Sequence, residues 1–300
     1  MGIKKRLSNI IRLLKETFSH FIDDNGMKLS AALSYYTIFS LPPLLILIIS
    51  LTGFFFGEEA VRGELFGQIN GLVGNEVAHQ IQEAVRNISL SGNSTFATVI
   101  GFGVLLIGAS RVFAEIQESI NYIWGLKAKP EKGLIKFLFN RLVSFSMIGT
   151  VGFLLLVSLL VNTLMDVMYN KLSVFFPADL IYLFYVLNVG VVFLIITFLF
   201  VIIFKALPDA TVAFKDCFIG AAFTAVLFML GKFAISAYLG SSMFASIYGA
   251  AGSVILILLW VYYSAMILYF GAEFTKVYAI LHGQKIVPNE FSVLVIKDHS

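Results

Sequence analysis

The sequence predicts an all-α polytopic membrane protein, a bundle of six transmembrane helices. Six long apolar stretches each cover roughly 19 to 26 residues, the length that an α-helix needs to cross about 30 Å of hydrocarbon. The composition agrees, because 59% of the 300 residues are hydrophobic and only 13% are charged. The apolar runs are uninterrupted, which argues against a membrane barrel with alternating ten-residue strands.

Each predicted span has a core of Leu, Ile, Val or Phe without an acidic residue. The six spans are Ala31–Phe56, Thr95–Phe113, Leu142–Met165, Leu180–Phe204, Cys217–Leu239 and Tyr248–Phe270. The first begins too late and is too long for a removable signal peptide, so we expect it to stay in the membrane.

The distribution of basic residues predicts that both termini are cytoplasmic. An even number of spans puts both termini on one side, and that side collects 17 of the 21 Lys and Arg residues. Of the other four, Arg62, Arg86 and Lys171 fall on the opposite side and Lys232 lies within a span. Because cytoplasmic loops carry the excess of Lys and Arg, the richer side is the inner one, and it suits anionic lipids better than nucleic acid.

The segments outside the spans are amphipathic. Residues 58–94 are too polar to cross a membrane but keep a helical period, so we predict an outer helical insert. We therefore divide the chain into a cytoplasmic amphipathic segment at 1–30, a transmembrane domain at 31–273 and a cytoplasmic tail at 274–300. The N-terminal helix and the segment 115–124 are each expected to lie in the inner interface, the second anchored by Trp124.

The first span is the least lipid-like of the six. Two consecutive prolines, Pro42 and Pro43, remove helix hydrogen bonds, and hydroxyl residues precede them. Irregular backbone at membrane depth is tolerated where it faces protein or water, so we expect this helix to line the interior of the bundle. Carbonyls and hydroxyls there require partners, and a cation could attract a phosphate.

These arguments define one hypothetical substrate-binding site beside the proline kink, facing the sixth span. Its candidate lining residues are Tyr35, Tyr36, Ser40, Pro42, Pro43, Arg111, Lys232, Tyr263 and Glu273. Arg111 is the favoured phosphate ligand because its guanidinium can bind bidentately, and the ammonium of Lys232 can alternatively reach the outer surface. For Glu273 the simpler expectation is a helix-end carboxylate in contact with water.

Several separate motifs resemble the YihY/BrkB family of membrane proteins. They are Lys28–Leu44, Arg111 with Asn121–Trp124, Lys205–Pro208, Tyr248–Ser253, Trp260–Tyr263 and Gly271–Glu273. The resemblance covers roughly Phe18 to Tyr278, and the chain departs from the expected pattern at Leu41-Pro42-Pro43, where we expect a bulkier residue before a single proline. It implies a bacterial inner membrane protein. Some family members were long labelled ribonuclease BN, some were linked to virulence, and some are suspected of moving lipids.

Three classes of function compete, and a transporter of an amphipathic substrate, such as a phosphorylated lipid, is favoured. A small ion fits less well, because no span carries paired carboxylates. A nuclease is disfavoured, because phosphodiester hydrolysis requires clustered metal ligands, and only Asp209 and Asp216 share a short loop. A non-enzymatic scaffold or envelope-integrity factor is the alternative.

The sequence offers no catalytic, metal or cofactor site. Its single cysteine, Cys217, allows no internal disulfide, and its four histidines are scattered. The expected partners are membrane lipids, including anionic lipids of the cytoplasmic leaflet, and not nucleic acid. The oligomeric state is left open.

The predicted topology is testable by labelling intact cells. Single cysteines placed near Gln80 and near Lys132 should react oppositely with an impermeant reagent, because the first site is expected outside and the second inside. Labelling near Lys132 from outside would overturn the assignment.

Overall fold

The computed structural model describes residues 2–40, 95–129, 178–241, 250–282, 285–290 and 292–295, with a few helical positions between 142 and 154. The insert predicted at 58–94, the prolines Pro42 and Pro43, and most of the third predicted span lie outside these described residues.

The described chain is mainly helical. Its helices are α1 (Gly2–Asp23), α2 (described over 26–40), α3 (Thr95–Ile123), α4 (Ala178–Ala206), α5 (Phe214–Ser241) and α6 (Ala250–Leu281). Its strands are β1 (Leu126–Ala128), β2 (Ala210–Thr211), β3 (Val287–Pro288) and β4 (Ser292–Leu294).

Three described helices are long and apolar enough to cross a membrane. The qualifying stretches are Val189–Ala206 in α4, Phe214–Lys232 in α5 and Ile257–Leu281 in α6. They overlap the last three predicted spans. Helix α6 continues eight residues beyond Glu273, where the sequence placed the end of the transmembrane domain.

Helices α1 and α2 are separated by a tight turn at Asp24 and Asn25. Asn25 adopts a left-handed backbone conformation with φ of 55°, which Asn tolerates better than most residues. A Cβ on Gly26 would collide with the ring of Phe21, so the following helix starts in close contact with α1. The chain therefore changes direction just before the first predicted span.

Helix α1 has two apolar faces, and only one is covered by protein. Leu13, Thr17 and Phe21 are buried, and α1 packs along α6. About 100° around the helix lie the exposed side chains of Ile11, Leu14, Phe18 and Ile22. The predicted amphipathic helix is thus present, with a protein-facing stripe that the sequence did not separate from the exposed one.

Helix α3 corrects one sequence expectation. The segment 115–124 was expected to place its apolar stripe in the inner membrane interface, and nearly all of it belongs to α3, which is continuous from Thr95 to Ile123. Ile120 and Ile123 are fully buried, and the indole nitrogen of Trp124 donates to the carbonyl of Ala272 at 3.1 Å. The apolar stripe therefore packs on protein and not on lipid, while the position of the segment in the inner interface stays a prediction.

Helices α5 and α6 meet antiparallel at two glycines. A Cβ on Gly220 would collide with the side chain of Thr275, and a Cβ on Gly271 would collide with that of Thr224. The hydroxyl of Thr224 donates to the Gly220 carbonyl, and that of Thr275 donates to the Gly271 carbonyl, both at 2.7 Å. Small residues therefore allow close helix approach while both polar groups stay satisfied.

The C-terminal segment pairs with two turns of the helical domain. Strand β4 runs antiparallel to β1 after α3, and β3 runs antiparallel to β2 between α4 and α5. The amide of Val295 also donates to the carbonyl of Gly125 at 2.8 Å. The segment after α6 thus connects the ends of three helices.

The close contact of α5 and α6 at the two glycines predicts that alanine at either position destabilises the protein, although alanine usually stabilises a helix. Gly220→Ala and Gly271→Ala should each lower the unfolding temperature of the detergent-solubilised protein, because overpacking costs about 1–3 kcal/mol. The control is Gly190→Ala in α4, where nothing lies within 4 Å of an added Cβ. That variant should be neutral or stabilising, since Ala favours helices by about 1 kcal/mol over Gly. Equal behaviour of all three variants would contradict the contact.

Candidate functional site

Arg111 of α3 and Tyr36 of α2 lie together. The guanidinium carbon of Arg111 is 4.7 Å from the centroid of the Tyr36 ring, a cation–π contact. Tyr35 is 59% exposed, with its ring 5.0 Å from that of Phe39, so it points away from the core. Ser40 is buried. Of the α2 candidates, the structure brings Tyr36 to the predicted cation.

Three hydroxyl groups of α2, those of Ser30, Ser34 and Thr37, donate to carbonyls of their own helix. Ser34 donates to the carbonyl of Ala31 at 2.8 Å, and Thr37 donates to that of Leu33 at 2.7 Å. Such local bonds satisfy hydroxyl groups inside a helix without any external ligand. Hydrogen bonds from Ser34 and Thr37 to carbonyls of their own helix thus explain these hydroxyl groups without a ligand.

Lys232 and Tyr263 line a small open cleft between α5 and α6. The cleft is shallow, with a cavity volume of about 10 Å³, and is also lined by Phe228, Trp260, Ser264 and Ile267. A Cβ on Gly231 would collide with the Tyr263 ring, so this glycine lets the tyrosine lie against α5. The rings of Phe228 and Trp260 meet edge-on at 6.3 Å.

Glu273 lies in a different place. It is ten residues along α6 from Tyr263, which corresponds to about 15 Å of helix. The single site predicted from sequence thus separates, among the described residues, into a Tyr36–Arg111 pair, a Lys232–Tyr263 cleft and the surroundings of Glu273.

Glu273 belongs to a buried charged cluster, contrary to the expectation of a water-exposed carboxylate. Its side chain has no exposed surface, and Asp24 is only 1% exposed. The Lys276 ammonium lies 3.5 Å from the Glu273 carboxylate and 3.3 Å from that of Asp24. It also donates to the carbonyl of Ile123 at 2.6 Å. One cation therefore serves two carboxyl groups and the end of α3.

Asp209, in the turn between α4 and α5, is the centre of a second buried polar cluster. Its carboxylate accepts from Asn121 at 2.9 Å and Gln117 at 3.3 Å, and its amide donates to the Asn121 side chain at 2.8 Å. Its carbonyl accepts from Ser292 of β4. Sequence reasoning missed this cluster, although Asn121 lies in the motif Asn121–Trp124 and Asp209 directly follows the motif Lys205–Pro208.

Glu115 is a further buried carboxyl group, two residues beyond the predicted end of the second span. Burial raises its pKa, the neighbouring Glu118 raises it further, and Arg111 lowers it. Within the part of the chain that the structure describes, no group of three or more His, Cys, Asp or Glu residues is placed to hold a metal ion.

The chain matches one family model over most of its length. The model, described as virulence factor BrkB, matches residues 17–289. Two similar proteins are described as UPF0761 membrane proteins. The one from Saccharophagus degradans is 28% identical over 282 residues, covering 93% of this chain and 62% of the relative. The one from Azotobacter vinelandii is 27% identical over 282 residues, covering 90% and 64%.

A third relative, from Mannheimia succiniciproducens, is also described as a UPF0761 membrane protein. It is 26% identical over 296 residues, which is 96% of both chains. The chain thus spans somewhat less than two thirds of the first two relatives and nearly all of the third. No solved structure matches it.

The Asp209 cluster predicts that loss of the Asn121 side-chain amide strongly lowers the stability of the protein. Asn121→Ala removes both a donor to the Asp209 carboxylate and an acceptor for its amide, so it should cost roughly 2–4 kcal/mol of unfolding free energy. The matched control is Asn9→Ala on the exposed face of α1. Thermal unfolding in detergent should separate the two variants by several degrees. If Asn121→Ala and Asn9→Ala unfold at the same temperature, the Asp209 cluster does not stabilise the fold.

Proposed function

Because the chain belongs to the BrkB virulence factor family of membrane proteins, we propose that it moves a phosphorylated, amphipathic lipid within a bacterial inner membrane. In this proposal it has six transmembrane helices and cytoplasmic termini. The favoured substrate combines an anionic headgroup with an apolar tail.

The proposed topology is supported by which helix ends and turns lie together in the structure. The turn between α1 and α2, the end of α3 and the last turns of α6 meet at Lys276. The turn between α4 and α5 joins the C-terminal strands at Asp209. These helix ends and turns lie together on one side of the molecule. Both termini on that same side fit an even number of membrane crossings. The excess of basic residues assigns that side to the cytoplasm.

The Lys232 cleft is the observation that carries the proposed substrate class. Placing a lysine in an apolar span costs free energy, so such a residue is by default a functional candidate. Here its neighbours are aromatic and aliphatic side chains, with Tyr263 and Ser264 as polar neighbours. An ammonium beside an apolar wall suits a phosphate attached to hydrocarbon. The exposed Arg111 against Tyr36 provides a second cation of the same kind.

We extend the proposal to lipid contact by α1. The exposed Ile11, Leu14, Phe18 and Ile22 form one apolar arc of this helix, and Arg12 and Lys15 are exposed on the neighbouring polar arc. A helix with this pattern lies in a membrane interface and favours anionic headgroups. Membrane lipids are thus the proposed partners, without nucleic acid.

The proposal does not include an enzymatic activity. Of the two acids expected to share a loop, Asp216 lies in the first turn of α5, and Asp209 has both carboxylate oxygens in hydrogen bonds with Asn121 and Gln117. This arrangement favours a structural role for Asp209 over metal ligation. A membrane scaffold or envelope-integrity factor is the competing function, and it requires no translocation.

Lipid translocation in proteoliposomes tests the proposed function. The wild-type protein should move a fluorescent anionic phospholipid between leaflets, measured by quenching of the outer leaflet. Lys232→Ala and Arg111→Ala should each lower the rate about tenfold, because a charge-assisted phosphate contact contributes roughly 1.5–3 kcal/mol.

The control for this assay is Lys129→Ala, which removes a lysine after β1. It should translocate lipid at the wild-type rate. Wild-type liposomes that translocate no faster than empty ones would favour the scaffold. Translocation with all three variants at the wild-type rate would leave both cations as membrane anchors.

A further inference from the structure

Two buried hydroxyl groups at the contact of α3 with α6 have no hydrogen-bond partner. Ser119 of α3 is 2% exposed, and Tyr269 of α6 has no exposed surface. Within the part of the chain that the structure describes, neither Ser119 Oγ nor Tyr269 Oη forms a hydrogen bond. A hydroxyl group removed from water without a partner costs free energy, so buried hydroxyls are usually bonded to protein or to ordered water. Two such groups at one helix contact therefore require an explanation.

The helix of Ser119 does not satisfy its hydroxyl group. Inside a helix, serine and threonine commonly donate to a carbonyl three or four residues earlier. Thr224, Ser264 and Thr275 do so here, at distances of 2.7 to 2.9 Å. Ser119 forms no such bond. Its hydroxyl group is therefore left for a partner outside α3.

The hydroxyl groups of Ser119 and Tyr269 face each other across the contact. Helices α3 and α6 run in the same direction here, because the indole of Trp124 donates to the Ala272 carbonyl and both Ser119 and Tyr269 lie about one turn before that bond. The Ser119 hydroxyl is close enough to act on the Tyr269 hydroxyl as a donor. The two oxygens nevertheless do not have the geometry of a direct hydrogen bond. A molecule that both donates and accepts can bridge such a pair.

Glu115 supplies a third polar group. It lies one turn before Ser119 on α3, is buried, and acts electrostatically on Tyr269. Side chains of an α-helix lean towards its N-terminus, so the long Tyr269 side chain carries its hydroxyl towards the level of Glu115. A buried water molecule bonds to roughly two to four polar groups. Glu115, Ser119 and Tyr269 together provide that number.

We propose that Glu115, Ser119 and Tyr269 form a buried water-binding site that joins α3 to α6. The water molecule accepts from one hydroxyl group and donates to the Glu115 carboxyl, and the other hydroxyl completes its bonds. A divalent cation fits less well, because Mg²⁺ and Ca²⁺ require about six or more oxygen ligands. The inference rests on these three side chains and does not depend on lipid transport.

The position of the site gives the water molecule a structural role. Glu115 lies one turn after Arg111, which acts on it electrostatically and also contacts Tyr36 of α2. Water bound between Glu115 and Tyr269 therefore connects the Tyr36–Arg111 pair to α6 through polar contacts. It also gives the buried Glu115 carboxyl a hydrogen-bond partner inside the protein.

Removal of one hydroxyl group distinguishes a bound water molecule from two unsatisfied groups. Tyr269→Phe should lower the unfolding temperature of the full-length protein in detergent by roughly 2–4 °C, because the water molecule loses a partner. A hydroxyl without a ligand would instead be removed without loss, and the temperature would stay the same or rise. Ser119→Ala should also lower it. The matched control is Tyr35→Phe at an exposed position, which should be neutral. An unchanged or raised temperature in either site variant overturns the proposal.

X-ray footprinting of the wild-type protein separates a bound water molecule from a direct bond between Ser119 and Tyr269. A short X-ray pulse converts water to hydroxyl radicals, which oxidise the nearest aromatic side chains, and mass spectrometry locates the oxidised residues. Tyr269 should be oxidised despite its burial, whereas Phe204, equally buried in the apolar core, should stay protected. Protection of Tyr269 to the level of Phe204 overturns the proposal even if Tyr269→Phe is destabilised, because a direct hydrogen bond then explains that loss.

Discussion

The close contact of α5 with α6 sets the position of every functional candidate that α6 carries. Gly220 and Gly271 leave no room for a side chain, and Thr275 and Thr224 fill the space while bonding their own helices. In lipid there is little hydrophobic force between helices, so such packing determines how α6 is rotated. That rotation places Tyr263 over Gly231, beside Lys232.

The other end of α6 is held by buried polar contacts. Lys276 joins the α1–α2 turn to the end of α3, and Asp209 joins α3, the turn after α4 and the C-terminal strands. Removing one partner from such a cluster leaves another buried group unsatisfied, which is more costly than the loss of a surface contact. One side of the molecule is therefore joined by buried polar contacts, while the Lys232 cleft lies about 15 Å further along α6.

Hydropathy predicted the last three spans because length and apolarity are properties of one segment. Hydropathy could not predict whether the end of α3 contacts lipid or protein, because an apolar stripe with Ile120, Ile123 and Trp124 can pack against either. The sequence placed Lys232 and Tyr263 in one site but did not separate them from Arg111 and Glu273, because the separate cleft depends on the register of α5 against α6. The burial of Glu273 was missed for a similar reason: Asp24, which contacts the same Lys276, lies about 250 residues earlier in the chain.

A cryo-electron microscopy map of the protein in nanodiscs of anionic phospholipid tests the central claim most directly, namely that packing of α5 on α6 builds a site for a phosphorylated lipid. The account predicts headgroup density within hydrogen-bonding distance of the Lys232 ammonium, with an acyl chain along Phe228 and Trp260. The density should be absent from a map of Lys232→Ala. A cleft filled by side chains or water alone, in the presence of the same lipid, would contradict it.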